Sequence, residues 1–343
     1  MELSATITSV LQAYGLNAPE YSIVRINSGH INHTYKIGTE YILQRINKNV
    51  FLHPEVLSKN LEAASVFLKQ HAPEYLFLHT LKTTSGEDLT FDAEGYPWRL
   101  FPYIKNTVSI NEVATAQQAY AAAQAFGQLS RQLQGCDVSK FEETIPKFHD
   151  LSIRYEQFER ALLHASSERK QLANRLINKY QAFKYLVDKY VDLIQSGQLV
   201  LRIMHNDTKI NNVLFEHGTD QVVCVIDLDT LMPGYFIYDL GDMIRTFVSP
   251  ASEEETDVSK VRVRKDIYQA VLDGYLSEMG GMLSHEEKLA VPLAGSIMTY
   301  MIGLRFLTDF LNGDTYYQTS YPQQNWYRAA NQLHLLELLE SQV

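Results

Sequence analysis

Two short segments carry side chains that can do chemistry together. The first is His205-Asn206-Asp207-Thr208-Lys209-Ile210-Asn211-Asn212; the second is Asp227-Leu228-Asp229. A loop aspartate can face an incoming hydroxyl and take its proton, and a neighbouring lysine can reach the oxygens of a phosphoryl group in transfer. One carboxylate and one amide oxygen at a single point suit a hard, oxygen-seeking cation such as Mg²⁺. That ion takes few protein ligands and keeps places for water and phosphate.

The elements around these segments bring them together. Leu199–Met204 reads as a buried strand running into the first segment. Val213-Leu214-Phe215, a turn around Glu216–Asp220, and Val222–Ile226 read as an antiparallel hairpin. In such a pairing the residue before the first strand lies beside the residue after the second, so Asn212 and Asp227 meet at one end of the ladder. The spacing H-x-D-x-K-x-x-N is that of a phosphoryl-transfer catalytic loop, with Asp227-Leu228-Asp229 in the place of the metal-binding turn. A loop rich in Asn, Asp and Thr is often only a turn, and Asp229 can be only a cap. The hairpin register and the β-rich stretch upstream favour the chemical reading.

The rest of the chain supplies the frame. Ile23–Ile26, Thr34–Ile37 and Tyr41–Ile46 read as strands, the first two separated by a turn-rich Asn27–His33. Pro54 opens a helix to about His71 with Leu57, Leu61, Ala64 and Leu68 on one face. Asp88–Phe91 and Trp98–Ile104 read as a hairpin, Asn111–Leu133 as a helix capped near Asn111, and Asp150–Gln195 as an αα-hairpin. From Asp239 onward the pattern is helical, with Asp239 as an N-cap. The fold class is therefore α+β, a small mostly-β lobe before a larger mostly-α lobe. The boundary falls near Phe101–Asn106, which gives residues 1–104 and 105–343. A cleft between unlike lobes is a common place for a small-molecule site.

Composition narrows the partners. The 343 residues carry a formal charge of −10, which disfavours nucleic acid and anionic lipid. Apolar residues make up 45% and charged residues 20%, as in an ordinary folded chain. The two cysteines, Cys136 and Cys224, offer no disulfide framework and no CxxC pair, so a reducing cytoplasm is expected. The N-terminus lacks the basic region of a secretory signal. The uncharged run between Lys288 and Arg305 is too short to cross a bilayer and reads as a buried helix. Walker A, G-x-S-x-G and dinucleotide fingerprints are absent. His30 and His33 sit three apart on a turn, without the H-E-x-x-H of a zinc site.

Over nearly its whole length the chain resembles the aminoglycoside phosphotransferase and choline kinase family, which shares a two-lobed protein-kinase-like fold. Within it, Val225–Gly234, Tyr238-Asp239-Leu240-Gly241-Asp242, His205–Phe215 and Gly313-Asp314-Thr315-Tyr316-Tyr317 are most similar to the N-acetylhexosamine 1-kinases. The resemblance implies Asp207 as catalytic base with Lys209 beside it, and Asn212 and Asp227 as Mg²⁺ ligands. It leaves Asp229 open between the metal and the sugar. Ser28, Gly29, His30 and Asn32 would lie in the loop over the nucleotide phosphates, with His30 also near the acceptor. The hinge near Phe101-Pro102-Tyr103-Ile104 would supply backbone contacts to adenine, from Phe101 and Tyr103. Arg45 stands where protein kinases have lysine, and arginine can hold phosphate there. Of the side chains that could partner it from the helix, Glu62 lies off the apolar face and Asn60 nearer to it.

Arg305 is a lone arginine on an apolar helix. It reads either as a sugar or phosphate contact or as an i,i+4 pair with Asp309. Tyr317, Asn325 and Trp326 read either as sugar-pocket walls or as core aromatics and caps. The activity implied is ATP- and Mg²⁺-dependent phosphorylation of N-acetylglucosamine or N-acetylgalactosamine to the 1-phosphate. The expected enzyme is a cytoplasmic monomer that binds nucleotide and sugar but neither nucleic acid nor membrane. The alternatives are a choline, ethanolamine, homoserine or aminoglycoside kinase of the same family, or a non-catalytic kinase-like binding module.

Overall fold

A computed structural model describes residues 2–26 and 32–341, with side chains from residue 5. Ser28, Gly29 and His30 lie outside the described residues. The chain opens with α1 (Glu2–Ala13), followed by β1 (Ile23–Ile26), β2 (His33–Ile37) and β3 (Tyr41–Arg45). After α2 (Pro54–His71) come β4 (Thr90–Phe91) and β5 (Pro97–Pro102). These strands form one antiparallel sheet in the order β1-β2-β3-β5-β4. Side chains alternate faces along a strand. Tyr35, Ile37, Leu43, Trp98 and Leu100 therefore point to one side and pack on Ile7, Val10 and Leu11 of α1. The other face, with Ile42, Gln44, Arg99 and Phe101, looks into a cleft.

Beyond the sheet lie β6 (Thr107–Val108), α3 (Ala116–Gln132), α4 (Leu151–His164), α5 (Ser167–Ala182) and α6 (Tyr185–Gln195). Then follow β7 (Arg202–Met204), β8 (Val213–Glu216), β9 (Val222–Val225) and β10 (Met232–Gly234). The chain ends in α7 (Phe236–Phe247), α8 (Lys265–Met279), α9 (His285–Ala290), α10 (Ala294–Leu311) and α11 (Gln324–Glu340). The expected β8–β9 hairpin is present, with Val213 opposite Val225, and β6 adds a third strand beside β8. A two-stranded β7–β10 pair adds to the elements expected from sequence.

Several boundaries differ from the sequence reading, each for a local reason. Helix α3 starts at Ala116 rather than Asn111, because the Thr115 side chain accepts the Gln118 N–H. The segment from Asp150 to Gln195 is three helices: Ser166 caps a fresh start at α5, and the chain breaks again at Phe183-Lys184. Leu199–Leu201 precedes β7 rather than belonging to it, with Val200 and Leu201 exposed.

The segment His285–Leu311 is long and apolar enough to cross a membrane by length and composition alone, longer than its uncharged run suggested. Every residue of α10 is nonetheless buried, and the helix packs on α4, α7 and α11. Helix α2 divides its apolar face: Leu57 joins Ile46 and Phe51, while Leu61, Ala64 and Leu68 join the core of the helical part. Asn60 fixes that contact. Its amide donates to the carbonyls of Glu142 and Leu231 and accepts the Glu142 N–H.

Candidate active site

The cleft between the five-stranded sheet and the helical part has a volume of about 320 Å³. Asp207, Lys209, Asn212, Asp227 and Asp229 all line it, so the two segments singled out by spacing do share one wall. The hairpin does the joining: the Ile226 N–H donates to the Asn212 carbonyl at 2.9 Å, one step beyond the Val213–Val225 pair.

The loop before β8 is held from below. The Asp239 carboxylate accepts the His205 N–H at 3.1 Å and the Asn206 N–H at 2.7 Å, and the Asp239 carbonyl accepts the Thr208 hydroxyl. Asp239 lies inside α7 rather than at its N-cap, which is Tyr235. Capping and loop anchoring use the same acceptor chemistry, and here the tertiary partners win. Asn206 turns the chain at φ 65° and donates its amide to the carbonyls of Met204, Thr230 and Met232. A Cβ on Gly234 would stand 2.5 Å from its Oδ1, so only glycine fits at that point of β10. His149 donates Nε2–H to the Asn206 carbonyl at 2.8 Å. Spacing alone signals none of these anchors: Asn206, His149, and Asp239 in this role.

His205 is wholly buried and bridges the two segments. Its Nε2 donates to the Ile226 carbonyl, and its Nδ1 accepts the Asp207 N–H at 3.2 Å. Burial holds its imidazole below the ordinary histidine range, consistent with a neutral ring whose Nδ1 must stay an acceptor. Asp227 sits at φ 57°, a left-handed conformation that Asp tolerates and that costs backbone energy.

Charge is unevenly distributed in the cleft. Burial alone would raise the Asp207 carboxyl, but Lys209, His205 and the Asn212 amide outweigh it, and the group lies below the ordinary aspartate value. Lys209 Nζ is 3.4 Å from Asp207, and Asn212 Nδ2 donates to Asp207 at 3.0 Å. The ammonium of Lys209 is raised by Asp207 against the effect of burial. Asp227 behaves oppositely. Burial, then the carboxylates of Asp229 and Asp207, push it up to about 7. Behind Lys209, the buried Arg245 pairs with Asp242 at 2.9 Å and Glu253 at 2.7 Å.

An under-neutralised Asp227 carboxylate beside an amide whose nitrogen is already spent fits a divalent cation held by few protein oxygens. Asp229 is less available than expected. Arg99 pairs with one of its oxygens at 2.5 Å and the Asn32 amide donates to the other at 2.7 Å. Asn32 also accepts the Asn47 N–H, so it ties the strand β2 entrance to the turn after β9.

Arg45 does not face the cleft. It lies on the Leu43 side of β3, with its guanidinium 4.3 Å from the Tyr96 ring centre. Among the described residues, the sheet cation that lines the cleft is Arg99 on β5, which is 2% exposed. Gln44, opposite it in register, accepts from its Nε and Nη2. Phe101 and Tyr103 both line the cleft, but the Tyr103 N–H is already given to the Glu40 carbonyl.

Arg305 and Tyr317 line a separate cavity, and Trp326 lines neither. Arg305 does not pair with Asp309. That carboxylate is taken by the N–H groups of Thr315, Tyr316 and Tyr317 and by the Asn325 amide. Asn325 is thus a buried tie between α11 and the end of α10.

The same architecture recurs in solved structures of low identity. An aminoglycoside phosphotransferase from Alicyclobacillus acidocaldarius subsp. acidocaldarius DSM 446 is 12% identical, with 97% of this chain and 95% of that one covered and a TM-score of 0.63. A microcompartment-associated aminopropanol kinase is 14% identical over 98% and 96%, TM-score 0.62. An amicoumacin kinase in complex with AMP-PNP, Ca²⁺ and Ami is 13% identical over 99% and 93%, TM-score 0.62. These likenesses establish the two-lobed kinase-like fold. The model of the phosphotransferase enzyme family, APH, matches residues 22–275, well over half of the chain, and the protein belongs to that family.

Proposed function

We propose that this phosphotransferase is an ATP- and Mg²⁺-dependent kinase that phosphorylates the anomeric hydroxyl of N-acetylglucosamine or N-acetylgalactosamine. The observation that supports transfer is the gathering of an ionised Asp207, Lys209, Asn212 and Asp227 on one cleft wall. Phosphoryl transfer passes through a loose transition state, so catalysis is mostly positioning and charge stabilisation. In this reading Asp207 orients the acceptor hydroxyl and accepts its proton. Lys209 offers N–H donors to the transferring oxygens while keeping Asp207 ionised.

Asn212 Oδ1 and the Asp227 carboxylate would hold Mg²⁺. When bound, the ion neutralises phosphate charge. Arg99, with Nη1 free of a hydrogen-bond partner among the described residues, takes the role toward nucleotide phosphate expected from sequence of Arg45. The apolar cleft residues Ile42, Phe101 and Leu214 suit a purine ring.

The acceptor rests on the similarity around Asp227–Asp242 and Gly313–Tyr317. The working place is a reducing cytoplasm, with both cysteines unpaired and the enzyme active as a monomer. Incubation with Mg·ATP and a panel of N-acetylhexosamines, choline and kanamycin, with phosphorus NMR of the products, tests the proposal. A 1-phosphate of an acetylated hexosamine is expected. Phosphate on the 6-hydroxyl, or turnover of choline or kanamycin alone, overturns the acceptor and leaves the transfer chemistry standing. No ATP consumption with any acceptor overturns both.

A further inference from the structure

Three carboxylates act on one ammonium at the wall of the transfer cleft. Lys209 Nζ lies 3.4 Å from Asp207. Asp207 raises that ammonium most and burial opposes it, while Glu253 and Asp242 pull in the same direction as Asp207. Lysine is a compact point charge on a flexible four-carbon stem, and nothing in its shape selects one carboxylate over another. Its side chain is 39% exposed, so packing does not hold it either.

Arg245 is what sets Asp207 apart from the other two. Asp239, Asp242 and Arg245 are spaced three apart on α7 and form one stripe of the helix, and Asp239 already grips the loop that carries Lys209. Arg245 Nε and Nη2 both donate to one oxygen of Asp242, at 3.0 and 2.9 Å, and Nη1 donates to Glu253 at 2.7 Å. Asp242 and Arg245 are buried, and the second Asp242 oxygen has no hydrogen-bond partner among the described residues. The rigid guanidinium fork holds two carboxylates at once, which a single ammonium does not. With both neutralised, the carboxylate left to Lys209 is Asp207. Without Arg245, Asp242 would be a buried, unpaired charge, which is costly. Lys209 is a mobile cation that acts on both Asp242 and Glu253, and it would be drawn to them.

We propose that Arg245 is a positioning residue for phosphoryl transfer: by occupying Asp242 and Glu253 it leaves the Lys209 ammonium to Asp207 and to the transferring oxygens. This role rests on the part given above to Lys209 in transfer and is independent of the identity of the acceptor. A purely structural Arg245 would join α7 to the Glu253 loop and do no more. A positioning Arg245 acts through Lys209, so removing the lysine must silence it.

The test is a set of variants read by crystallography and by steady-state kinetics, with Mg·ATP and N-acetylglucosamine or the panel acceptor turned over in its place. In crystals of Arg245→Gln, Lys209 Nζ should leave Asp207 for Asp242 or Glu253. Turnover of the folded variant should fall by roughly tenfold to a hundredfold, with the KM of both substrates near that of the unaltered protein. Adding Asp242→Asn and Glu253→Gln removes the competing carboxylates and should restore most of the turnover. In a Lys209→Met background, Arg245→Gln should cost nothing further. Arg131→Gln, at a surface pair with Glu278, is the control and should turn over as the unaltered protein does. Losses that multiply in the Lys209→Met background, or Lys209 still on Asp207 in the Arg245→Gln crystals, overturn the role of Arg245 and leave that of Lys209 standing. Undiminished turnover in Lys209→Met overturns both. If Arg245→Gln does not fold, Arg245→Lys takes its place: one ammonium cannot span both carboxylates, so the same shift and loss are expected, and Glu253→Gln should reverse them.

Discussion

Arg99 on β5 and Asp229 in the turn after β9 form an ion pair of 2.5 Å that joins the five-stranded sheet to the helical part, with both side chains buried. Gln44 and Asn32 complete it, one on each partner. Breaking such a pair from one side leaves a buried charge unpaired, at a cost of about 3–5 kcal/mol. Arg99→Gln is therefore expected to lower unfolding stability by that order. Asp229→Asn in the same background should restore much of it, since the double variant buries no lone charge. Urea unfolding of the two singles and the double closes a double-mutant cycle; strictly additive losses would refute the coupling.

Asp207→Asn keeps the shape of the loop and removes the proposed base. Turnover should fall by about 10²–10⁴-fold, with acceptor and ATP KM little changed. Part of the loss comes from orientation, because Asn212 Nδ2 donates to the carboxylate and meets an amide of either orientation less well. Steady-state kinetics with unaltered turnover would remove Asp207 from the mechanism.

Asp227→Ala should raise the Mg²⁺ concentration needed for half-maximal activity steeply, with little loss of folding. It removes a left-handed aspartate whose carboxyl is already strained by burial and by Asp229 and Asp207. Asn212→Ala should shift the Mg²⁺ requirement less, since it takes away a neutral oxygen, but should also lower turnover by freeing Asp207. A Mg²⁺ titration superimposable on that of the unaltered protein for both variants would refute the shared cation position.

The meeting of the two segments was legible because the residues involved are close in sequence or joined by one hairpin. Asp207, Lys209 and Asn212 fall within six positions, and the β8–β9 hairpin that brings Asp227 to them follows from strand alternation and one turn. What failed was long-range. Arg45 and Arg99 are both strand arginines, and only the pairing of β3 with β5 shows which one shares a face with Gln44. The i,i+4 spacing of Arg305 and Asp309 suggested a pair, but the turn at Thr315–Tyr317 presents three N–H groups that no helix rule foresees. Asp239 has the sequence surroundings of a cap, yet its partners, the N–H groups of His205 and Asn206, lie more than thirty positions away.

His149 should make the protein acid-sensitive. Burial pushes its imidazole down to about 3, and its Nδ1 is buried without a partner among the described residues. The unfolded chain, with an ordinary value near 6.5, then binds more protons than the folded one between those limits. Stability is full above about pH 6.5 and is lost as pH falls toward 3, with a slope of up to ~1.4 kcal/mol per pH unit. His205, also lowered by burial, adds in the same direction. His149→Gln retains a donor toward the Asn206 carbonyl and removes the titration. Its unfolding free energy between pH 6 and pH 4 should fall less steeply; pH profiles that run parallel in the two proteins would count against the assignment.

Asp239 anchors the loop that carries Asp207 and is not itself among the residues lining the cleft. Its carboxylate holds the N–H groups of His205 and Asn206, its carbonyl takes the Thr208 hydroxyl, and the three donors flank Asp207 on both sides. Asp239→Ala leaves two buried N–H groups without acceptors, each costing about 1–3 kcal/mol if no water replaces the carboxylate. Stability should drop by that order. A structural role alone would end there. A positioning role adds a fall in turnover at a temperature where the variant is fully folded. A displacement of about 1 Å at a reacting group can cost about a hundredfold. Asp239→Asn, which keeps one acceptor oxygen for the two donors, should fall between the two proteins in both stability and turnover. Nucleotide affinity should stay near that of the unaltered protein, because Asn212 and Asp227 are held by the β8–β9 hairpin and not by Asp239. Turnover equal to the unaltered protein in folded Asp239→Ala would show that the loop keeps its shape without this carboxylate.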